Sequence, residues 1–249
     1  MAYKISLNYS PNFDSKKRKK NQIKYLIIHY TGMKSENAAI KRLTDVKSNV
    51  SCNYLIKKNG DIIIMVPDLY SAWHAGKSSW KNYQSLNKSS IGIEIANPGH
   101  SHGYKQFSNF QIISLIKLSK FLIKKYKINL KNILGHSDIA PERKKDPGEK
   151  FPWKNLAKKN ISFWHNLDKK LLFKNRKIKI NSLQKKIFIQ NLIKIGYPIK
   201  KTKQLKFNSE KYLKLITKAF QRRFRQELIN GKIDEECLLI SQNLVKKFK

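Results

Sequence analysis

The chain has 249 residues, of which 40% are hydrophobic and 11% aromatic. This is enough to bury a core in one large domain, or in a medium domain with a small companion, and it excludes wholesale disorder. Its formal net charge of +37 favours polyanions such as nucleic acid, anionic lipid or acidic cell-wall polymer, but lysines occur along the whole chain, which fits compositional drift better than a dedicated binding surface. The apolar runs are far shorter than the roughly 20 residues of a membrane-spanning helix, so we expect a soluble chain whose export signal was removed or never existed.

Strand and helix patterns alternate in the first part of the chain, from Ile23 to about Trp164. The segment "IKYLIIHYT" has the continuous apolar character of a buried strand. In "CNYLIKKNGDIIIMVP", two apolar runs meet at Asn59-Gly60, which predicts a β-hairpin. Between these strands, "ENAAIKRLTDVK" predicts a helix with four apolar side chains on one face: Ala38, Ala39, Leu43 and Val46.

Three further elements complete this part of the chain. The segment "SIGIEIAN" predicts another buried strand. The longer "SNFQIISLIKLSKFLIKKYK" begins with a serine or asparagine cap and has the spacing of an amphipathic helix. The last predicted strand, "KNILGH", leads into a proline-bounded loop.

The pattern changes after Trp164, where no strand signal follows. The lysine-rich "DKKLLFKNRKIKIN" indicates a linker. Three helices are predicted beyond it: "SLQKKIFIQNLIKIGYPI", ended by Gly196, then "EKYLKLITKAFQRRFRQEL", and "DEECLLISQNLVKKF" with Asp234 as its N-cap. We therefore predict two domains, residues 1–170 and residues 180–249, of which the second is a small three-helix domain.

Two histidines, His29 in "IIHYT" and His136 in "ILGH", each end a predicted strand. Pro141 and Pro147 restrict the loop after His136, and a rigid loop of this kind can bring Asp146 back beside that histidine. Two imidazoles and one carboxylate would give zinc three protein ligands and leave the fourth position open for water. The alternative is that each histidine is a hydrogen-bonded core residue, and spacing alone does not decide between the two.

Glu94 is a carboxylate in the middle of the apolar strand "IGIEIAN". Burying a carboxylate costs several kcal/mol unless something compensates it, so Glu94 is either paired or functional. Beside a zinc ion it could act as a general base on the bound water. The alternative is a structural ion pair with one of the many lysines.

Four segments that follow one another in order carry a resemblance to a known family: "YLIIHYTG", "SCNYLIKKNGDIIIMVPDLYSAWHAGKSSW", "SIGIEIANPG" and "ILGHSDIAPERKKDPGEKFPW". Residues 23–165, approximately, resemble the zinc-dependent N-acetylmuramoyl-L-alanine amidases of the peptidoglycan-recognition-protein fold, particularly the AmiD/AmpD branch. The resemblance implies an α/β fold with a central mixed β-sheet flanked by helices and a zinc ion in a groove. It also implies cleavage of the amide bond between N-acetylmuramic acid, or its anhydro form, and L-alanine of the peptidoglycan stem peptide.

The resemblance assigns roles to individual residues. His29, His136 and Asp146 align with the zinc ligands of the family. Glu94 aligns with its acid/base, and Lys144 with a lysine that polarises the scissile carbonyl. Three more positions align with groove residues that contact the glycan-peptide substrate, although many relatives have histidine at the first of them: Asn53, His74 and Ala75.

The tail "AFQRRFRQELINGKIDEE" is similar to the helical peptidoglycan-binding-like domain that follows the catalytic domain in AmiD-type enzymes. These resemblances imply a bacterial, monomeric protein whose partner is peptidoglycan or muropeptides and which binds no specific nucleic acid. It would act in the periplasm or cell envelope if a leader was removed, and otherwise in the cytoplasm. Intact peptidoglycan, anhydro-muropeptide and lipid-linked precursor all stay open as substrates.

Two other function classes compete with the amidase. A catalytically silent recognition protein on the same fold normally lacks a metal ligand, whereas here all three ligand positions are filled. A nucleic-acid-binding protein is suggested by the charge and by "RRFR", where Phe224 could stack on bases. At helical spacing, however, Phe220 and Phe224 fit a packed face better.

Overall fold

A six-stranded mixed β-sheet forms the centre of the fold in the computed structural model, which describes residues 4–199 and 210–247. The strands among the described residues are β1 (Ile5–Leu7), β2 (Phe13–Asp14), β3 (Tyr25–Tyr30), β4 (Tyr54–Ile56), β5 (Ile62–Ile64), β6 (Ser71–Ala72), β7 (Ser79–Trp80), β8 (Tyr83–Gln84), β9 (Ser90–Ile95) and β10 (Ile133–Gly135). The central sheet has the order β1-β5-β4-β9-β3-β10, while β2 pairs with β6 and β7 with β8. The predicted mixed sheet is confirmed.

The direction of the strands explains where a site can form. β4, β9, β3 and β10 run parallel to one another, so their carboxyl ends meet at one edge of the sheet. Within the central sheet, β4 and β5 form the antiparallel pair, and they are joined by the predicted hairpin at Asn59-Gly60. Gly60 has a φ of +89°, and a Cβ there would lie 2.9 Å from the backbone oxygen of Phe110, so the turn requires glycine.

Helices cover the sheet, and most begin or end where the sequence predicts. Ser108 caps α2 through a hydrogen bond from the Gln111 N–H, Gly196 follows the last residue of α6, and Asp234 caps α8. The α-helices among the described residues are α1 (Glu36–Thr44), α2 (Asn109–Tyr126), α3 (His136–Ile139), α4 (Trp153–Lys158), α5 (Lys169–Asn175), α6 (Ser182–Ile195), α7 (Glu210–Phe224) and α8 (Glu235–Lys246). No helix in the described ranges combines the length and apolar character needed to span a bilayer.

Two details of the prediction are wrong. α1 ends at Thr44, so Val46 does not belong to its buried face and is 63% exposed. The segment interpreted as a linker contains α5, whose N-cap Asp168 accepts hydrogen bonds from the N–H groups of Lys170 and Leu171. An aspartate in this position is an ordinary helix start signal, which the surrounding lysines obscure.

The two faces of the sheet pack against different parts of the chain. Leu26 and Ile28 of β3 face a core that contains the apolar side of α2 and α4. Tyr25 and Ile27, which alternate with them, face a core built with α6, α7 and α8. The C-terminal helices therefore share a continuous core with the sheet, to which they contribute Phe188, Leu192, Phe220, Phe224, Cys237 and Leu244.

All three arginines of "RRFR" are buried instead of facing solvent: Arg222, Arg223 and Arg225. Arg223 pairs with Asp138 beneath the sheet edge, and Arg225 pairs with Asp234. Phe224 packs in the core, as helical spacing predicts. These side chains therefore do not form a surface on which bases could stack.

Candidate metal centre and active site

Three donor atoms from separate parts of the chain meet at the carboxyl edge of the sheet. Nδ1 of His29 lies 2.9 Å from Nδ1 of His136, and Oδ2 of Asp146 lies 3.0 Å from each of these nitrogens. We call these three atoms the metal triangle. His29 is the fifth residue of β3, and His136 follows β10 directly, so the parallel pairing of these strands brings the two rings together.

The proline-bounded loop places the third donor. The Ser137 N–H donates to the carbonyl oxygen of Asp146 at 2.9 Å, which closes the two ends of the loop onto each other. Within the loop, the Lys144 N–H donates to the carbonyl oxygen of Ala140 at 3.0 Å. The loop thus forms the rigid link between His136 and Asp146 that the sequence predicts.

Nε2 of His29, the ring nitrogen outside the metal triangle, has a hydrogen-bond partner in His74. The Ser90 hydroxyl donates to the carbonyl oxygen of Leu86 at 2.6 Å, so its oxygen accepts from Nε2–H of His74 at 3.2 Å. Nδ1 of His74 then carries a lone pair and accepts from Nε2–H of His29 at 3.0 Å. This chain of hydrogen bonds leaves Nδ1 of His29 without a proton.

The His136 ring is held in the same way. Its Nε2 lies 3.1 Å from the carbonyl oxygen of Ala75, which can only accept a hydrogen bond. This contact favours the tautomer of the neutral ring in which Nε2 carries the hydrogen and Nδ1 carries the lone pair. The adjacent residues His74 and Ala75 hold both rings from outside, and their own N–H groups donate to Oδ1 of Asn87 at 3.2 and 2.7 Å.

Space for the His74 ring depends on a glycine. A Cβ at Gly92 would collide with the His74 ring. Gly92 lies in β9, and its N–H donates to Oδ1 of Asn53 at 3.0 Å. Asn53 is fully buried and also donates to the carbonyl oxygen of Val66, so it supports the strand beneath His74.

The metal triangle has the chemistry of a metal-binding site. Two lone pairs and a carboxylate oxygen face one another at 2.9–3.0 Å, an arrangement that is repulsive unless a cation lies among them. Tetrahedral coordination at about 2.0–2.1 Å places ligand atoms about 3.3 Å apart, close to the distances in the triangle. The residues present therefore fit a divalent metal ion with nitrogen and oxygen ligands.

Electrostatics keeps the donors in the states that bind a metal. Burial, and next the neighbouring His136 ring, lower the pKa of His29 to about 4. Burial acts to raise the pKa of Asp146, but both histidine rings outweigh it and hold that pKa well below its ordinary range. His29 is therefore neutral and Asp146 ionised near pH 7.

Glu94 lies beside the metal triangle. It is the register partner of His29 on the neighbouring parallel strand, so the two side chains leave the same face of the sheet. Its Oε2 is buried and has no hydrogen-bond partner among the described residues. Burial, and next the charge of Asp146, raise the pKa of Glu94 to about 8, which lets it exchange a proton near neutral pH.

A groove of about 530 Å³ opens over these residues. Lys144 lines it together with Glu94, so both predicted catalytic side chains face the same space as the three donors. Trp73 also lines the groove, whereas Trp80 is buried against Tyr197 in the core. Asn53, predicted to contact substrate, is not one of the lining residues.

Arg143 was not singled out from the sequence, although it lies between the predicted residues. Its guanidinium donates to the carbonyl oxygens of Ala75 and Lys77 and thereby ties the Asp146 loop to the segment that holds both imidazoles. A Cβ at Gly76, where φ is +54°, would lie 3.2 Å from Nη2 of Arg143. A run of Arg-Lys-Lys gives no sequence signal that distinguishes this contact from ordinary surface charge.

The C-terminal helices fasten the turn that carries His136. Asp138 accepts hydrogen bonds from the Gly135 N–H at 2.8 Å, from the Tyr197 hydroxyl at 3.0 Å and from the Arg223 guanidinium. Arg223 also donates to the carbonyl oxygen of Ile133 at 2.8 Å. The metal centre is thus connected to α7 by buried, charge-assisted hydrogen bonds.

Comparison with known proteins gives consistent matches. The sequence profile of a family described as N-acetylmuramoyl-L-alanine amidase matches residues 19–149. N-acetylmuramoyl-L-alanine amidase AmiD of Escherichia coli (strain K12) is 35% identical over 239 residues, which cover 91% of this chain and 84% of that protein. The 1,6-anhydro-N-acetylmuramyl-L-alanine amidase AmpD of Haemophilus influenzae is 33% identical over 162 residues, which cover 58% of this chain and 85% of that protein.

Solved structures extend the match to the whole fold. The complex of E. coli AmiD with anhydro-N-acetylmuramic acid-L-Ala-D-γ-Glu-L-Lys has a TM-score of 0.78 and 33% identity, covering 91% of this chain and 90% of that chain. AmpDH3 from Pseudomonas aeruginosa has a TM-score of 0.77 and 29% identity, covering 96% of this chain and 97% of that chain. Both alignments include the C-terminal helices as well as the sheet.

Proposed function

The chain belongs to the N-acetylmuramoyl-L-alanine amidase family, and from this premise we propose that it is a zinc-dependent hydrolase of the amide bond between N-acetylmuramic acid, or its anhydro form, and L-alanine of the stem peptide. The observation that carries the proposal is the metal triangle, in which two imidazole nitrogens and a carboxylate oxygen face one another beside Glu94 in an open groove. The ligand in the AmiD complex contains this amide bond.

Zinc is the proposed metal, held by His29, His136 and Asp146. Two imidazoles and one carboxylate form a ligand set of catalytic zinc, in which a fourth position stays open for water or substrate. Bound zinc lowers the pKa of its water towards about 7 and polarises a carbonyl group. Adjacency of the groove to the metal triangle supports a catalytic rather than a closed structural site.

The proton transfers are assigned to Glu94. Its carboxylate accepts a proton from the water that attacks the lactyl carbonyl of the muramic acid, and it then delivers that proton to the departing nitrogen of L-alanine. Burial raises the pKa of Glu94 to about 8 in the metal-free protein. A zinc ion beside it would lower that pKa, so the carboxylate would be ionised when it takes the proton from water. An amine leaves readily only when it is protonated, so the second transfer completes cleavage.

Lys144 supplies charge to the reacting carbonyl. Its ammonium group lines the groove on the loop that also bears Asp146, and it offsets the negative charge that develops on the carbonyl oxygen. Because the loop ends are joined by the hydrogen bond between Ser137 and Asp146, Lys144 is held at a defined distance from the metal triangle.

The proposal also covers the two domains, the partners and the substrate-contact residues predicted from the sequence. Residues 1–170 form the catalytic unit and residues 180–249 a peptidoglycan-binding-like unit that here also supports the metal centre. Muropeptides of bacterial cell walls are the proposed partners, since the matched relatives are bacterial proteins. Substrate contact by Asn53, His74 and Ala75 stays a prediction, to which their hydrogen bonds behind the metal triangle add a supporting role.

The proposal is tested with the full chain and anhydro-N-acetylmuramoyl-L-Ala-D-γ-Glu-L-Lys. Protein stripped by a chelator should release no tripeptide, and stoichiometric zinc should restore release. A zinc-loaded protein that binds the muropeptide without releasing peptide would instead support the silent recognition protein. Salt-sensitive DNA binding that persists without zinc, together with absent hydrolysis, would favour the nucleic-acid alternative.

A further inference from the structure

A second cavity of about 360 Å³ lies between the Asp146 loop and helix α7. We call it the distal cavity. Four residues line both the distal cavity and the active-site groove, so the two spaces adjoin: His100, Arg143, Lys144 and Lys145. From the opposite side, α7 presents one stripe of side chains at helical spacing: Leu215, Lys218 and Arg222.

Arg222 is the unusual member of this lining. The residue is 8% exposed, and its Nε is buried without a hydrogen-bond partner in the described part of the chain. The nearest carboxylate oxygen in an ion pair with it is Oε2 of Glu149, at 3.8 Å, beyond hydrogen-bond length. Glu149 is already shared, because Nε2 of His100 lies 3.1 Å from the same oxygen.

The charge of Arg222 is incompletely compensated. Burial lowers the pKa of its guanidinium below the ordinary value, and Glu149, followed by Tyr30, Asp138 and Asp146, offsets this only in part. Cationic side chains outnumber the two carboxylates that line the distal cavity, Glu142 and Glu149. A buried cation in this state gains most from an added anion, and a guanidinium matches a carboxylate in a planar, two-point geometry.

We propose that the distal cavity is a subsite for a free carboxylate of the stem peptide, bound by Arg222 with the help of Lys218. The inference rests on the proposed amidase function. The peptide in the AmiD complex offers two such groups, since a γ-linked glutamate keeps its α-carboxylate and the last residue has its own. An extended peptide advances about 3.3–3.6 Å per residue, so both groups lie away from the scissile bond. The distal cavity adjoins the active-site groove through four shared lining residues and can receive a group at that separation.

The proposal gives the C-terminal helices a part in substrate selection. The side chains on α7 would bind a charged group of the peptide, while the metal centre would bind the peptide at the bond to be cleaved. Glu149 is a competing anion, which the peptide carboxylate would displace or join. Selection would then appear as a preference for acidic over amidated stem peptides.

The test compares four substrates cleaved by the zinc-loaded full chain: the acidic tripeptide muropeptide, its glutamate α-amide, its C-terminal amide, and neutral N-acetylmuramoyl-L-alanine methylamide. We expect one of the two tripeptide amides to be cleaved with a kcat/KM about tenfold to a hundredfold lower than the acidic form, the usual effect of a lost charge-assisted hydrogen bond. The amide that shows the loss identifies which carboxylate is bound.

Variants assign that selectivity to the distal cavity. Arg222→Gln and Lys218→Gln should each bring the ratio of acidic to amidated kcat/KM towards one. Lys211→Gln is the matched control, because Lys211 is an exposed lysine of the same helix that does not line the cavity, and it should keep the wild-type ratio. Lys218 is only half-buried, so its variant decides the matter if Arg222→Gln does not fold.

Equal kcat/KM for the acidic form and both amides in the wild type would overturn the subsite, as would wild-type selectivity in Lys218→Gln and in folded Arg222→Gln. Failure of the amidase proposal looks different, because zinc-loaded wild type would then cleave none of the four substrates.

Discussion

His29 and Glu94 are register partners on the adjacent parallel strands β3 and β9. The His29 ring, which contributes one atom of the metal triangle, and the Glu94 carboxylate therefore project from the sheet side by side. No loop movement is needed to bring them together. The same pairing brings Glu94 close to the charge of Asp146, which contributes to its raised pKa of about 8. Strand register thus determines both the position and the protonation behaviour of this carboxylate.

Glu94→Gln should abolish most turnover while leaving zinc bound. The amide has nearly the same shape but cannot accept the proton, so we expect kcat to fall by about 10²–10⁴-fold. Peptide release and zinc content are measured on the same sample. Glu210→Gln, at a carboxylate that is 97% exposed, is the control and should behave as the wild type. Activity within a few-fold of wild type would remove Glu94 from the mechanism.

The metal-free protein should also show the cost of burying Glu94. The folded carboxyl has a pKa of about 8 against an ordinary 4.5, so between these values the unfolded chain loses a proton that the folded chain retains. The free energy of unfolding therefore decreases as pH rises, by about 1.4 kcal/mol per pH unit from this group. Glu94→Gln removes the effect, so its stability relative to wild type should increase from pH 5 to pH 8 in urea unfolding. A pH-independent difference would contradict the shift.

His74→Phe should weaken zinc binding about 10–100-fold, because the variant loses the acceptor that holds Nε2–H of His29. Phenylalanine keeps a planar ring in the space above Gly92. Competition with a chromogenic chelator measures zinc affinity, and excess zinc should restore part of the activity. His102→Ala, at an exposed histidine, is the control. Unchanged zinc affinity in His74→Phe would show that the His29 ring is positioned without this contact.

Arg223→Met should destabilise the protein by about 3–5 kcal/mol, since it leaves Asp138 as an unpaired buried charge. Because Asp138 anchors the turn of His136, the folded variant should also bind zinc less tightly. Arg225→Met is the matched control: it breaks a comparable buried pair with Asp234, which makes no contact with Asp138 in the hydrogen bonds and ion pairs of the described residues. Equal zinc affinity in the two variants would mean that Arg223 acts on stability alone.

Local signals account for what the sequence predicts correctly. The hairpin at Asn59-Gly60, the caps at Ser108 and Asp234, and the convergence of His29 with His136 each depend on a few neighbouring residues or on the rule that parallel strands end at one edge. Such signals are visible without knowledge of the packing.

Contacts between distant segments account for what the sequence leaves out. The hydrogen bond from His29 to His74 joins residues 45 positions apart, and the pair of Arg223 with Asp138 joins residues 85 positions apart. Nothing near either residue marks its partner. In a chain with 53 lysines and arginines, a buried arginine also looks the same in sequence as the many exposed ones.

The core that α6, α7 and α8 share with Tyr25 and Ile27 has a consequence for protein engineering. Truncation after residue 170 would remove the helices that cover one face of the sheet and would expose a large apolar surface. The shortened fragment should therefore precipitate instead of working as an independent minimal hydrolase. Chimeras that exchange these helices between relatives would need to transplant the matching residues of β3 and β10 as well.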